Sequence, residues 1–430
     1  MTSATPNLIS TRMALLISFV LFALFATSTP ISVTASNDGG DSIQSRSSRS
    51  DPESDYQELR FAAFGTSRTW GSGLQDRFQA FPYLLSPHVN NLAIRAAGPD
   101  IPSQCTSTML GDSTVDVILL EYSFTASDAL VRLAHRVRQR FPKATIIFLD
   151  IWVPFQFYNR RLGKTVDQIV RENFSDMTLY TPDFIRTLVI DTDPDEWFFL
   201  LDKNVRSKVE EARALVGGFT YEMPNPDQGK ESLLQYGPLF MHDMSHFSVD
   251  GHFFMKNQIL DLLQSISAKR HDEKKPWATN DHCQSWFESG TLSAIHHTSL
   301  KMVNFDNEKY ALEAPVNETV WINVHNLFDR PMDVFVNHMS IGPDHLYPNV
   351  SLTLQQSLDT PNGVIVDNWK SSANRHIHVV QNTRVGKIPP GMHQLFIQTL
   401  DKSKLLPFRL TGILLTPSKD AEYFAITSPS

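Results

Sequence analysis

Positive charge is in short supply in this chain. Lys and Arg number 38 against 46 Asp and Glu over 430 residues, for a formal charge of -8 and a pI of about 6.0. The counterion release that drives nucleic-acid binding therefore has no basic surface to work from, and nucleic acid is excluded as a partner, other polyanions with it. Cysteine is almost missing: Cys105 and Cys283 are the two in the chain, which allows at most one internal disulfide. No internal repeat is detectable, which removes solenoid and propeller architectures. The strongly apolar run near the N-terminus, Met13 to Phe25, falls short of the roughly 20 residues that a bilayer span takes.

What that run fits instead is the core of an export signal. Arg12 precedes it, and the small residues Val33-Thr34-Ala35 offer a cleavage site, so residues 1–35 are predicted to be a signal peptide. Counted through Ala35 the segment just reaches spanning length, and a signal anchor holding a lumenal body at the membrane stays open as the alternative. Both place the protein in the secretory pathway, secreted or lumenal in the ER or Golgi. In that oxidising setting Cys105 and Cys283 are a disulfide candidate, with two buried free thiols as the other reading. The same setting gives meaning to three N-glycosylation sequons, at Asn173, Asn317 and Asn349. Residues 36–56, rich in Ser, Asp and Gly with almost nothing to bury, read as a disordered stem.

From Leu59 onward strand and helix patterns alternate. Leu59 to Phe64, Asn91 to Ala96, Val115 to Tyr122 and Ala144 to Asp150 are apolar runs of strand length, of the kind buried on both faces of a parallel sheet. Leu130, Ala134, Val137 and Phe141 make one helical stripe, stopped by Pro142. Val205 to Val216 make a second, and Met255, Ile259, Leu262, Leu263 and Ile266 a third. Residues 152–204 show no sustained period and are expected as loops over the sheet's carboxyl edge. The fold class for residues 57–269 is thus α/β, a doubly wound parallel sheet. Residues 270–289, opening with the charge-rich KRHDEKK, read as a linker. In residues 290–425 the pattern is strands separated by turns such as Pro361-Asn362-Gly363 and Pro389-Pro390-Gly391, which predicts a C-terminal β-sandwich.

The stretch Leu59 to Gly73, LRFAAFGTSRTWGSG, places a serine just beyond a strand, with a helix expected over Gln75 to Phe78. A hydroxyl on a sharp strand-to-helix turn stands out at the sheet edge beside unpaired N–H groups, as an acyl-transfer nucleophile must. Gly65-Thr66-Ser67-Arg68-Thr69-Trp70-Gly71 resembles the first motif of the SGNH (GDSL-type) hydrolases, G-D-S-x-T-x-G, with Thr66 in place of the aspartate. Asn91 to Gly98 resembles the second motif, and Asp243-Met244-Ser245-His246 the last, D-x-x-H, in the order the family requires.

The resemblance covers about Leu59 to Lys269. It implies a three-layer, flavodoxin-like sheet and a triad in which Ser67 attacks, His246 takes its proton and Asp243 orients the ring. It also implies an oxyanion hole from the N–H groups of Ser67 and Gly98. Histidine suits the base role because its unperturbed pKa of about 6.5 lies near working pH. The third motif's asparagine is replaced by Thr125, and loss of one oxyanion donor typically costs about 10² to 10³ in rate. Thr125 through its hydroxyl, Asn90 or Asn91 are the candidates to replace it.

Gly111-Asp112-Ser113-Thr114 spells the family's signature literally, but no strand precedes it, and it reads as a turn at the sheet's amino edge. No metal site is expected. The cluster of His242, Asp243, His246 and His252 and the pair His376 and His378 lack a supporting ligand set. Trp321 and Trp369 read as aromatic core packing, with a sugar-stacking platform as the other reading. The expected activity is ester hydrolysis through an acyl-enzyme, without cofactor, on a small-molecule or glycan ester, O-acetyl on a glycan first. A lumenal glycan O-acetyltransferase using the same triad and a catalytically inactive binding protein of the same fold are the alternatives.

Overall fold

The computed structural model describes residues 56–122, 128–151, 185–190, 241, 246–266, 268–288, 299–305, 309–316, 318–342, 346–368, 377–401, 404 and 406–418, all within one compact unit. Five strands form the first sheet: β1 (Phe61–Gly65), β2 (Val89–Asn91), β3 (Val117–Glu121), β4 (Thr145–Ile151) and β5 (Ile185–Ile190). They lie in the order β2-β1-β3-β4-β5, each neighbouring pair parallel. The pleat sends Phe61, Ala63, Val117, Leu119, Ile147 and Leu149 into one core, and Ala62, Phe64, Ile118, Leu120, Ile146 and Phe148 into another. Because both faces are covered, the central strands β1, β3 and β4 are apolar over most of their length and do not alternate.

Six helices accompany the sheet among the described residues: α1 (Ser67–Trp70), α2 (Phe81–Leu85), α3 (Asp100–Gln104), α4 (Thr106–Leu110), α5 (Asp128–Arg140) and α6 (Val249–Ser265). Phe81 and Leu85 of α2 with Met255, Ile259 and Leu263 of α6 cover one face, while Leu130, Leu133, Ala134 and Val137 of α5 cover the other. The result is a three-layer α/β arrangement. Its order reverses direction at β1, so the crevice beyond the carboxyl ends of β1 and β3 is where such sheets place their ligands.

Three expectations differ from what is seen. The helix expected over Gln75 to Phe78 is a short 3-10 turn, Arg77–Gln79, and the helical turn after β1 starts at Ser67 itself. The second strand ends at Asn91. Leu92 and Ile94 still donate to Ala63 and Gly65 carbonyls, but Ala96 at φ 57° turns the chain away. The stretch 152–204, expected as loops, holds strand β5 at the sheet's edge.

The stretch read as a linker, 270–289, is also fastened down. His271 N–H donates to Asp116 Oδ1, Arg60 Nη1 donates to Asp272, and Lys275 N–H donates to Arg140 O. Burial would raise the Asp116 carboxyl, but its bonds from Arg60 and from the His271 N–H outweigh that and hold it below the ordinary value. Within the same stretch β6 (His282–Ser285) pairs with β15 (Phe408–Thr416) of the second sheet system.

That system comprises β7 (Lys301–Phe305), β8 (Lys309–Ala314), β9 (Thr319–Asn326), β10 (Met332–Gly342), β11 (Val350–Leu354), β12 (Val364–Val366), β13 (Ile377–Ile388), β14 (Gly391–Thr399) and β15 (Phe408–Thr416). One sheet runs β13-β10-β15-β8-β7 with β6 beside β15, the other β12-β11-β14-β9. Val334 and Val336 from the first meet Ile322, Val324, Leu352 and Leu395 from the second in a shared core, which makes this region a β-sandwich. Its six-stranded sheet seats Met339, Val380 and Leu414 against Ile94, Ala97, Ile101 and Cys105 of the α/β part. There Cys105 and Cys283 form a disulfide, Cα atoms 5.7 Å apart.

Among the described residues no helix is long and apolar enough to cross a membrane. Residues 1–35, the stem to residue 55, Asn173, Asn317 and the Val205 to Val216 stripe lie outside the described residues. Asn349 is half-buried just before β11, and its carbonyl accepts from Leu400 N–H.

Candidate active site

β1 delivers the chain to the crevice through Gly65. A Cβ there would stand 2.2 Å from Thr69 Oγ1 and 3.1 Å from Glu121 Cβ, so only glycine lets the next turn fold back this tightly. Thr66 is extended at φ -95° and ψ -162°, and Ser67 opens the one-turn helix α1. Among the described residues no backbone acceptor is seen for the Ser67 or the Gly98 N–H group, and for Ser67, in the first turn of a helix, this is the ordinary state.

Beneath the turn lies a carboxylate. Glu121, the last residue of β3, is fully buried, and its Oε2 accepts from Thr66 N–H at 3.0 Å, Thr66 Oγ1 at 2.7 Å and Thr69 Oγ1 at 3.2 Å. Arg68, also buried, brings Nη2 to 3.5 Å from Glu121 Oε1. Thr66 stands where the resembled motif has aspartate, and a carboxylate nevertheless reaches the turn, from the neighbouring strand. Sequence reading missed Glu121 because it took VDVILLEY as one apolar run. The signal was there: an acid at the carboxyl end of a central strand has to find donors or forfeit its charge.

His246 comes from the far end of the domain. Its Nε2 lies 2.8 Å from Ser67 Oγ. Two neighbours fix the approach. Phe247 is wholly buried in the core under β1, and Ser248 caps α6 by accepting from Gly251 N–H. Met241 N–H donates to His246 O, and Met241 Sδ fills the space 2.3 Å from where a Cβ of Gly73 would stand. The histidine loop thus sits against the glycine turn that follows the serine.

Asp243 and Thr125 lie outside the described residues, as do His242, His376 and Trp369. Asn91 is committed elsewhere: its Nδ2 donates to Thr69 O and its Oδ1 accepts from Ala93 N–H, which clamps the end of α1. Ser113 sits in the turn between α4 and β3, its N–H donating to Leu110 O. Beside it Arg60 donates to Thr114 Oγ1 at the sheet's amino edge, the edge opposite Ser67. His252 is buried in α6, stacked on Phe81 and accepting Phe81 N–H at Nδ1. Burial, with the nearby His246 adding to it, lowers its pKa to about 3, so it is a neutral packing residue. Among the described residues no three His, Cys, Asp or Glu side chains converge as a metal would need.

A cationic and aromatic stack flanks the site. The Arg95 guanidinium lies 3.9 Å, and that of Arg77 4.4 Å, from the centre of the Trp70 ring at the end of α1. Arg95 also binds Glu288 through its backbone N–H, Nε and Nη2, so a residue just past β6 helps position α1.

The chain is similar to a two-domain esterase active on acetylated mannans, with a TM-score of 0.47 and 11% identity over 84% of this chain and 92% of that one. The same esterase co-crystallised with mannopentaose gives 0.47 and 12% over 85% and 93%. A family 35 carbohydrate binding module from Clostridium thermocellum gives 0.22 and 5% over 32% of this chain and 99% of that chain. No protein-family model and no curated protein matches the sequence.

Proposed function

We propose that the protein is an SGNH-type serine esterase that removes an acyl group, O-acetyl first, from a glycan. The observation that carries this reading is the 2.8 Å contact between Ser67 Oγ and His246 Nε2 at the carboxyl edge of the sheet, within the hydrogen-bond reach a base needs. Ser67 Oγ attacks the ester carbonyl carbon while its proton passes to His246 Nε2. The carbonyl oxygen, now negative, is held by the N–H groups of Ser67 and Gly98. Collapse expels the sugar alkoxide, which takes the proton back from His246. Water then repeats the sequence on the acyl-enzyme, releasing the carboxylic acid. Asp243 is assigned to hold the histidine ring, and Thr125 to assist the oxyanion. An exported chain meets polysaccharide esters as its acyl donors, which is the ground for the glycan.

A fluorophosphonate probe tests the reading directly. The wild-type protein should be labelled on Ser67 and the Ser67→Ala variant should not; equal labelling of both removes Ser67 from the mechanism. Release of free acetate from an acetylated polysaccharide in water, with no acceptor sugar added, separates hydrolysis from transfer.

A further inference from the structure

The four-stranded sheet of the sandwich has two faces of unlike chemistry. Along β9, Val320, Ile322 and Val324 are buried in the core, and along β14, Leu395 and Ile397 are too. Side chains at the alternate positions stand on the opposite face, where they are half-buried or exposed. Strand register arranges them in rows. Phe396 lies between Thr353 on one side and Trp321 on the other, so an aromatic stripe crosses the sheet. Two residues along the strands Gln394 lies opposite Asn323; two residues the other way Gln398 lies between Ser351 and Thr319. Trp321 therefore stands on the face turned away from the sandwich core.

We propose that this face binds an uncharged polysaccharide laid across the strands. A pyranose ring offers apolar C–H groups on its flat faces and hydroxyls around its rim. An aromatic stripe takes the faces, and carboxamides and hydroxyls on both sides, each both donor and acceptor, take the rim. Neighbouring strands lie about 4.8 Å apart, close to the length of one hexose in an extended chain, so Phe396 and Trp321 address successive sugars. The three rows carry no Asp, Glu, Lys or Arg, in a chain in which those residues make up 20%. A charged glycan would require a cation to pair with its carboxylates or sulfates, and these rows supply none. The α/β part packs on the other sheet, through Met339, Val380 and Leu414, so a polysaccharide held here leaves the Ser67 crevice open. The site stands independently of the esterase reading.

Affinity electrophoresis of the full chain tests it, with Ser67→Ala in the background so that no ester is altered during the run. Native gels contain galactomannan, xyloglucan or mixed-linkage β-glucan, with polygalacturonate as the charged comparison. Retardation is expected in at least one neutral gel and absent in polygalacturonate. Phe396→Ala and Trp321→Ala should each weaken it about tenfold, as loss of a stacking aromatic does. Cross-strand aromatics also support a sheet, so Asn323→Ala with Gln394→Ala, which leaves the core untouched, decides the matter if either aromatic variant melts early. That pair should weaken binding by a similar factor at an unchanged melting temperature. No retardation in any neutral gel, retardation in polygalacturonate alone, or parent-like binding by the amide pair overturns the proposal.

Discussion

Nε2 of His246 lies 2.8 Å from Oγ of Ser67 although 179 residues of chain separate them. The serine is placed by the turn after β1, the histidine by a buried phenylalanine and a capped helix start, so the contact is built from two independently anchored loops. Groups that act as one unit lose their effect together. Ser67→Ala and His246→Ala should each lower the hydrolysis of an acetyl ester by about 10³-fold or more, and the double variant should be no slower than either. Two multiplying losses in the double variant would mean that the residues do not cooperate.

Glu121 is expected to govern the nucleophile turn. Glu121→Ala removes the acceptor of three hydrogen bonds beneath Ser67 and, as with other broken buried pairs, should cost about 3 kcal/mol in urea unfolding. Glu121→Gln keeps the shape and should lower kcat about tenfold or more with KM little changed, since it disturbs orientation and not substrate binding. Restoring the aspartate of the resembled motif gives a sharper test. Thr66→Asp sets a second carboxylate against Glu121 and should be harmful alone, yet tolerated together with Glu121→Gln, where the like-charge repulsion is gone.

Legibility followed periodicity. β1, β3 and β4 could be read because strands covered on both faces are apolar at nearly every position, α6 because a long helix repeats its buried stripe, and the sandwich strands because one face alternates with the other. A four-residue helix such as α1 has no period to detect, and edge strand β5 mixes arginine and threonine with its apolar residues. The serine and histidine could be found because local motifs carry them. Arg95 could not, since what gives it meaning is a partner 193 residues away; Glu121 offered its place at a strand end as the one signal, its partner Thr66 lying 55 residues back. The charge run at 270–275 looked like solvated linker for the same reason: its partners are Arg60, Asp116 and Arg140, all distant in sequence.

The disulfide should matter to stability out of proportion to its size. Cys105 and Cys283 close a loop with a sequence separation of 178, and the cross-link restricts the unfolded chain more the longer that loop. It joins the α3–α4 corner to the strand segment that enters the sandwich. Cys283→Ser is expected to cost about 2–5 kcal/mol, read as a melting temperature lower by about 2–6 °C. Reductant should shift the wild type toward the variant and leave the variant where it is. A wild type indifferent to reductant would show that the bridge is absent or energetically idle.

Acid should unfold the protein partly through histidines that refuse protons. Burial lowers His252 to about 3, and His135 and His338 to about 4, from the ordinary 6.5. The sign follows from linkage: below pH 6.5 the unfolded chain binds protons that these folded rings do not, so stability falls as pH drops from 6.5 toward 3–4, and nothing is contributed above pH 7. For His252 alone the loss at pH 5 is about 2 kcal/mol. His252→Asn removes the titration while leaving an amide oxygen to accept the Phe81 N–H that Nδ1 accepts now. The variant should be less stable than wild type at pH 8, and its loss between pH 8 and pH 5 in urea unfolding should be smaller by about 2 kcal/mol. An equal loss in both proteins would mean that the ring at 252 takes up its proton in the folded state, and the packing of α6 against Phe81 would have to be redrawn.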